Sequence, residues 1–143
     1  MPTDDDIAVV RRLYAALAAG DSATVEACFH PEAVWHLPGR GVLAGTYRGW
    51  PAIRVRLLAR QGPLSGGTFR VRLLDLAVGA EYLVAIVHAT ADHAGRRLDL
   101  TVCQLMRVRD GQIREVRGHY GDEAALDAFW GPPPGSGSHR EVS

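Results

Sequence analysis

A chain of 143 residues, 47% hydrophobic and 22% charged, has the make-up of one globular domain large enough to bury a core. Sixteen basic and sixteen acidic residues give a formal net charge of zero, so the basic footprint of a nucleic-acid or anionic-membrane binder is missing. The opening MPTDDDIAVV is acidic where a signal peptide is basic, and no apolar run approaches the roughly 18 residues of a membrane span, so the expectation is a cytoplasmic protein that is neither exported nor inserted.

Residues 5–19 carry Ile7, Val10, Tyr14 and Leu17 at helical spacing behind a cluster of acids, and the pattern stops at Gly20-Asp21. SATVEACF follows as a second short helix, with Ser22 placed as its N-cap, Val25, Cys28 and Phe29 on its inner face and His30-Pro31 as its terminator. AVWHLPGRGVLAGTYRG reads as a short strand, a Gly-rich turn and a return segment. Pro51 then suits the first turn of a helix to about Arg60, and QGPLSGG is expected to be a loop. From Thr68 onward, turn signals at Gly79-Ala80, Ala94-Gly95 and Asp110-Gly111 cut the chain into four consecutive antiparallel strands. Asp122 can cap a last helix, EAALDAFW, and residues 131–143 have the Pro/Gly/Ser-rich composition of a disordered tail behind a single domain over 1–130. Cys28 and Cys103 are too few and too far apart for a disulfide framework or a metal knuckle.

One strand contains an anomaly. In the strand LDLTVCQLMRV the face of Leu98, Leu100, Val102, Met106 and Val108 also carries Gln104, and a buried amide without partners costs roughly 1–3 kcal/mol. Either core groups satisfy it, or it lines a cavity. A two-residue turn at Ala94-Gly95 sets His93 opposite Arg96 and, counting outward, Gln104 opposite Ala85. Leu83, Val87, Ala89 and Ala91 then share its face, a set with small members that leaves space beside the amide. Tyr82, Val84, Ile86, His88 and Thr90 fall on the other face. In the last strand, Ile113 and Val116 are three apart and break alternation. With a bulge, Val116, Gly118 and Tyr120 face inward; without one, Glu115, Arg117 and His119 do.

Helices laid on one strongly curved antiparallel sheet make a cone-shaped α+β barrel. The succession LYAALAAGD, FHPEAVWHLPG, LAGTYRGWPAI, a long meander and RVRDGQIREV resembles the SnoaL-like members of the nuclear transport factor 2-like superfamily, a cystatin-like fold. That group includes ketosteroid isomerase, limonene epoxide hydrolase and polyketide cyclases, and the resemblance covers residues 5–130. It implies a homodimer built on the partly apolar outer face of the sheet. Matched to ketosteroid isomerase, QLMRV puts Gln104 at the position of the protonated Asp of the oxyanion hole. Leu13 falls at the oxyanion Tyr, with Tyr14 one place along, and Leu37 at the general base. His36 adjoins that position, but alternation turns it away from Trp35 and Leu37 unless the strand end is distorted.

The candidate catalytic residues are therefore Tyr14 and Gln104 as polarising donors and His36 or His119 as the proton carrier. The candidate substrate-binding residues are Trp35, Leu37, Trp50, Ala85, Val87, Val102, Met106, Val116 and Tyr120. Each has a structural counterpart reading: a satisfied core amide, a core tyrosine, solvated histidines, and for Asp122 a helix cap. His88 and His93 lack the spacing of a metal site, Arg40, Arg48 and Arg54 read as solvated, and no GxSxG, P-loop or dinucleotide fingerprint occurs, so neither metal nor cofactor is expected. With the resemblance, this implies cofactor-free acid/base cyclisation, isomerisation or epoxide opening of a small apolar or polycyclic, polyketide-like molecule. The alternative is a non-catalytic ligand-binding or accessory module on the same fold.

Overall fold

The computed structural model describes residues 1–134; residues 135–143 of the expected tail lie outside the described residues. Helix α1 (Asp4–Ala19) starts at a capping box in which the Thr3 hydroxyl accepts from the Asp6 amide and the Asp6 carboxylate accepts from the Thr3 amide. The other Asp6 oxygen accepts from Gly111 N–H at 2.9 Å, tying the helix start to a distant turn. A 16-residue helix is marginal alone, and α1 is held by its inner face, where Val10 and Leu13 are fully buried and each contributes about 1.5–3 kcal/mol. Gly20, at φ 70°, closes it. Helix α2 (Ser22–Cys28) is capped by Asp21, whose carboxylate accepts from the Thr24 amide; the expected cap, Ser22, is its first residue. His30 and Pro31, expected to end that helix, lie within strand β1 (Phe29–Leu37), whose register shifts between Phe29 and Val34. The missing N–H of proline is tolerated in that irregular stretch.

After β2 (Gly45–Arg48), a continuous helical crossing runs through α3 (Trp50–Ala52), a π-helical Ile53–Leu58 and α4 (Ala59–Leu64). It therefore takes in Gln61–Leu64, expected to be loop. The chain breaks only at Gly66 and Gly67, where φ is 62° and 77°. The meander follows as β3 (Arg70–Val78), β4 (Leu83–His93), β5 (Arg96–Arg109) and β6 (Gln112–Tyr120), and helix α5 (Glu123–Trp130) closes the domain behind its Asp122 cap.

The six strands order as β2-β1-β6-β5-β4-β3, antiparallel except for β1 and β6, which run parallel. No hairpin joins that pair, so no turn dictates its direction. The β4–β5 register is the one read from the Ala94-Gly95 turn, with His93 opposite Arg96 and Ala85 opposite Gln104. Both residues of that turn have positive φ, as do Asp110 and Gly111. In β6 the register shifts past Ile113, so Arg114 is the extra residue, and Val116, Gly118 and Tyr120 pair with Met106, Gln104 and Val102. This settles the phase of the last strand in favour of the bulge. A further irregularity at Leu74 in β3 adds to the curvature.

The concave face and the helices enclose one core. Helix α5 covers one end, with Phe129 and Trp130 edge to face at 5.1 Å and Trp130 against Phe69 at 5.1 Å. Its Asp127 carboxylate accepts from the amides of Arg40 and Gly41 and so fastens the loop after β1. A side chain on Gly39 would collide with that carboxylate. The Gly131 carbonyl, at the start of the expected tail, accepts from Val42 N–H at 2.8 Å. No helix among the described residues is long and apolar enough to cross a membrane.

Candidate functional site

A cavity of about 590 Å³ opens between the C-terminal turns of α1, the 58–70 segment and the concave face of β1, β4, β5 and β6. Its size suits a ligand of two to four rings. Gln104 stands in its wall, 5% exposed. The residues opposite it on the neighbouring strands are Ala85 and Gly118, both small, and this gives the amide room. A methyl on Gly118 would lie 2.8 Å from the Tyr120 ring and 3.2 Å from Gln104 Oε1. Gly118 thus leaves the space in which the amide and the phenol lie together.

Three buried polar atoms on residues that line this cavity have no hydrogen-bond partner among the described residues: the Tyr14 hydroxyl, Trp35 Nε1 and Gln104 Oε1. Orphaned groups of this kind are rare in a native interior, and here they share one cavity. Burial raises the Tyr14 pKa far above that of a free phenol, with neighbouring Tyr120 adding to it. Burial pushes Tyr120 up to about 12, the Gln104 amide pulling it part of the way back. Both phenols therefore stay protonated at neutral pH and act as hydrogen-bond donors. Among the described residues no Asp, Glu or His lines the cavity; its charged residue there is Arg70, at the mouth. The chain contains no lysine, all sixteen basic residues being arginine, so amine nucleophilic chemistry lacks its reagent. Among the described residues no three His, Cys, Asp or Glu side chains come together as metal ligands would.

Of the residues singled out from the sequence, Tyr14, Trp35, Leu37, Val87, Val102, Gln104 and Tyr120 line the cavity. Ala85, Met106 and Val116 are fully buried in the core beside it and contribute no wall. Trp50 is also a core residue: its ring stacks on Phe29 at 5.0 Å and its indole N–H donates to Glu26 at 2.8 Å. The structure does not bring His36 and His119 to the site. The end of β1 is regular, with Trp35, His36 and Leu37 opposite Tyr47, Thr46 and Gly45, so alternation holds and His36 faces outward. There its two ring nitrogens meet Thr46 Oγ1 at 3.1 Å and Glu115 Oε2 at 3.3 Å. The Arg114 bulge turns His119 to the same outer face, exposed and opposite Cys103.

The sequence reading missed the wall built by the 58–70 segment, including Leu58, Gln61, Phe69 and Arg70. Expecting a loop over 61–67 removed the helical spacing that puts Gln61 one turn after Leu57 and Leu58. The widened π turn over Ile53–Leu58, in which Ala59 N–H reaches back five residues to the Arg54 carbonyl, borders this wall.

Residues 10–116 match the SnoaL-like domain family. An uncharacterised protein of Mycobacterium tuberculosis is 34% identical over 131 residues, which make up 91% of this chain and 99% of that one. Among solved structures, Bal32a from a soil-derived mobile gene cassette is 34% identical over 92% of this chain and 100% of its own, with a TM-score of 0.86. IdmH of Streptomyces antibioticus, described as a candidate polyketide cyclase, has a TM-score of 0.71 at 22% identity over 89% of this chain and 98% of its own, a likeness in fold. The α+β cone, its helix-roofed concave sheet and the match over most of the domain agree: the chain belongs to the SnoaL-like domain family, and its fold is like that of a nuclear transport factor 2-like protein of Burkholderia xenovorans.

Proposed function

We propose that the cavity binds a small, largely apolar ring compound by one of its oxygens and promotes a cofactor-free cyclisation or isomerisation at that oxygen. The observation that carries this reading is that Tyr14, Trp35 and Gln104 line one largely apolar cavity and each holds a buried polar atom, the hydroxyl, the indole N–H and the acceptor Oε1, without a partner among the described residues. A ligand carbonyl accepting from Tyr14 and Trp35 satisfies both donors at once. When a nucleophilic carbon of the same molecule attacks that carbonyl, the π electrons move onto the oxygen, and donors already in place stabilise the developing charge without reorganising. Ring closure gains further because a confined chain has its reacting ends held together. IdmH's description as a candidate polyketide cyclase agrees with this class of reaction.

Proton abstraction by His36 or His119 is not part of the proposal, since both lie on the outer face. Burial raises the pKa of both Tyr14 and Tyr120 and keeps them protonated at neutral pH, so neither tyrosine replaces them as a base. The substrate must therefore be an easily enolised compound, whose proton passes to solvent. The missing base equally favours the second reading, a binding module without turnover. The test is calorimetric titration of hydroxynaphthalenes and hydroxyanthraquinones against wild type, Tyr14→Phe and Gln104→Leu. Saturable binding weakened in both variants supports the site, and absence of any binding tighter than about 1 mM removes it. Mass-neutral conversion of an enolisable polyketone by the wild type separates enzyme from binder.

The outer face, with Val84 and Ile86 only half-buried, supports the further proposal of a homodimer through the sheet. The unpaired thiols of Cys28 and Cys103 fit the reducing cytoplasm.

A further inference from the structure

The chain is neutral overall, but its charges are segregated. Between Glu32 and Asp75 there are seven arginines, from Arg40 to Arg72, and no acidic residue. This stretch forms β2, the helical crossing and the start of β3, the part of the cone where the cavity opens. The ion pairs among the described residues involve His36, His88, Arg97, Arg114 and Arg117, and none of these seven.

One of the seven stands at the cavity itself. Arg70 lines the mouth, and its Nη1 donates to the carbonyls of Gly67 at 2.9 Å and Phe69 at 2.8 Å. Those two bonds hold the guanidinium at the rim, and its Nε and Nη2 have no hydrogen-bond partner among the described residues. The opposing charge at the rim is the C-terminal end of α1, worth about half a negative charge. That end is partly discharged, because the amides of Gly20 and Asp21 return to the carbonyls of Leu17 and Ala16. The Asp21 carboxylate is committed to the amide and hydroxyl of Thr24. A full guanidinium charge outweighs the half charge facing it.

Resting on the reading of the cavity as a ligand site, we infer that its ligand is an acid: a ring compound with one oxygen among Tyr14, Trp35 and Gln104 and a carboxylate at the mouth on Arg70. The planar fork of the guanidinium matches a carboxylate, while the apolar walls between take the rings. The ligand is thereby oriented, acid outward and reacting oxygen inward.

Three rigid probes test this by calorimetry at pH 7: 6-hydroxy-2-naphthoate, its amide 6-hydroxy-2-naphthamide, and 2-naphthol. The acid should bind wild type about fivefold or more tightly than the amide, a charge-assisted bond discounted for an exposed rim. Raising salt from about 0.05 to 0.5 M should narrow that gap. Arg70→Gln should bring the acid to the level of the amide, whereas Arg72→Gln, an equal loss of charge further along β3, should keep the preference. Equal binding of acid and amide to wild type overturns the inference, and so does a loss of preference in Arg72→Gln as large as in Arg70→Gln. If 2-naphthol binds and loses affinity in Gln104→Leu while the carboxylate adds nothing, the cavity reading stands and the acid end alone is wrong. If none of the three binds, both fall together.

Discussion

Replacing Gln104 by Leu separates a ligand-facing amide from a structural one. The side chain is 5% exposed and its Oε1 has no partner among the described residues, so the fold carries a desolvation cost of about 1–3 kcal/mol at this position. Leucine is similar in volume, removes that cost and sits among Val102, Met106 and Val87. Against this gain stands only the amide's pull on the neighbouring Tyr120 phenol, whose pKa it lowers somewhat. The expected result is a net stabilisation of about 1–3 kcal/mol, at about 3 °C in Tm per kcal/mol for a chain of this length. Binding should move the other way. A ligand oxygen that loses this partner should bind about two- to tenfold more weakly. Urea unfolding measures the first quantity and titration with 2-naphthol the second. A stability loss above about 2 kcal/mol with unchanged affinity would show a satisfied core amide and refute the reasoning.

Gly118→Ala should do the reverse, lowering stability by about 1–3 kcal/mol through overpacking, because the added methyl lies 2.8 Å from the Tyr120 ring; urea midpoints check it. For Asp6, burial alone would raise the pKa, but hydrogen bonds from the Thr3 and Gly111 amides and the Thr3 hydroxyl outweigh it and leave the carboxyl below its ordinary value. A folded pKa below the unfolded one means stability that is present above the unfolded value of about 3.9 and lost as pH falls through the folded one. Asp6→Asn should therefore be less stable than wild type by about 1–2 kcal/mol at pH 7, with thermal melts converging in strong acid; a constant gap across pH would refute the assignment. The double variant His36→Ala, His119→Ala should bind 2-naphthol as wild type does, and a marked loss would return an imidazole to the site. Ile86→Arg should convert a dimer to a monomer in sedimentation, and a wild type already monomeric at micromolar concentration would remove the proposed interface.

Which parts of this site were legible in the sequence follows from how each side chain is aimed. A strand between two firm turns has only one unknown, its register. Ala94-Gly95 has both residues at positive φ, so the turn alone placed Gln104 opposite Ala85. Tyr14 was equally readable, because helical spacing puts it on the buried face with Val10 and Leu17. The last strand carried one more unknown, the single extra residue Arg114, on which the direction of every later side chain depended. The same composition could have presented either His119 or Tyr120 to the cavity, a usable base or a donor that stays protonated. Arg70 and Gln61 were hidden for a different reason. Gly62 and Pro63 are local breakers, yet the helix continues through them because Leu57 and Leu58 anchor it against the core. Tertiary packing overrode propensity there, in a stretch that forms the mouth together with the end of α1. The inner half of the cavity is thus written in turn chemistry and alternation, which are local. The choice of histidine or tyrosine, and the charge at the mouth, depend on a bulge and a helix end set by the assembled core.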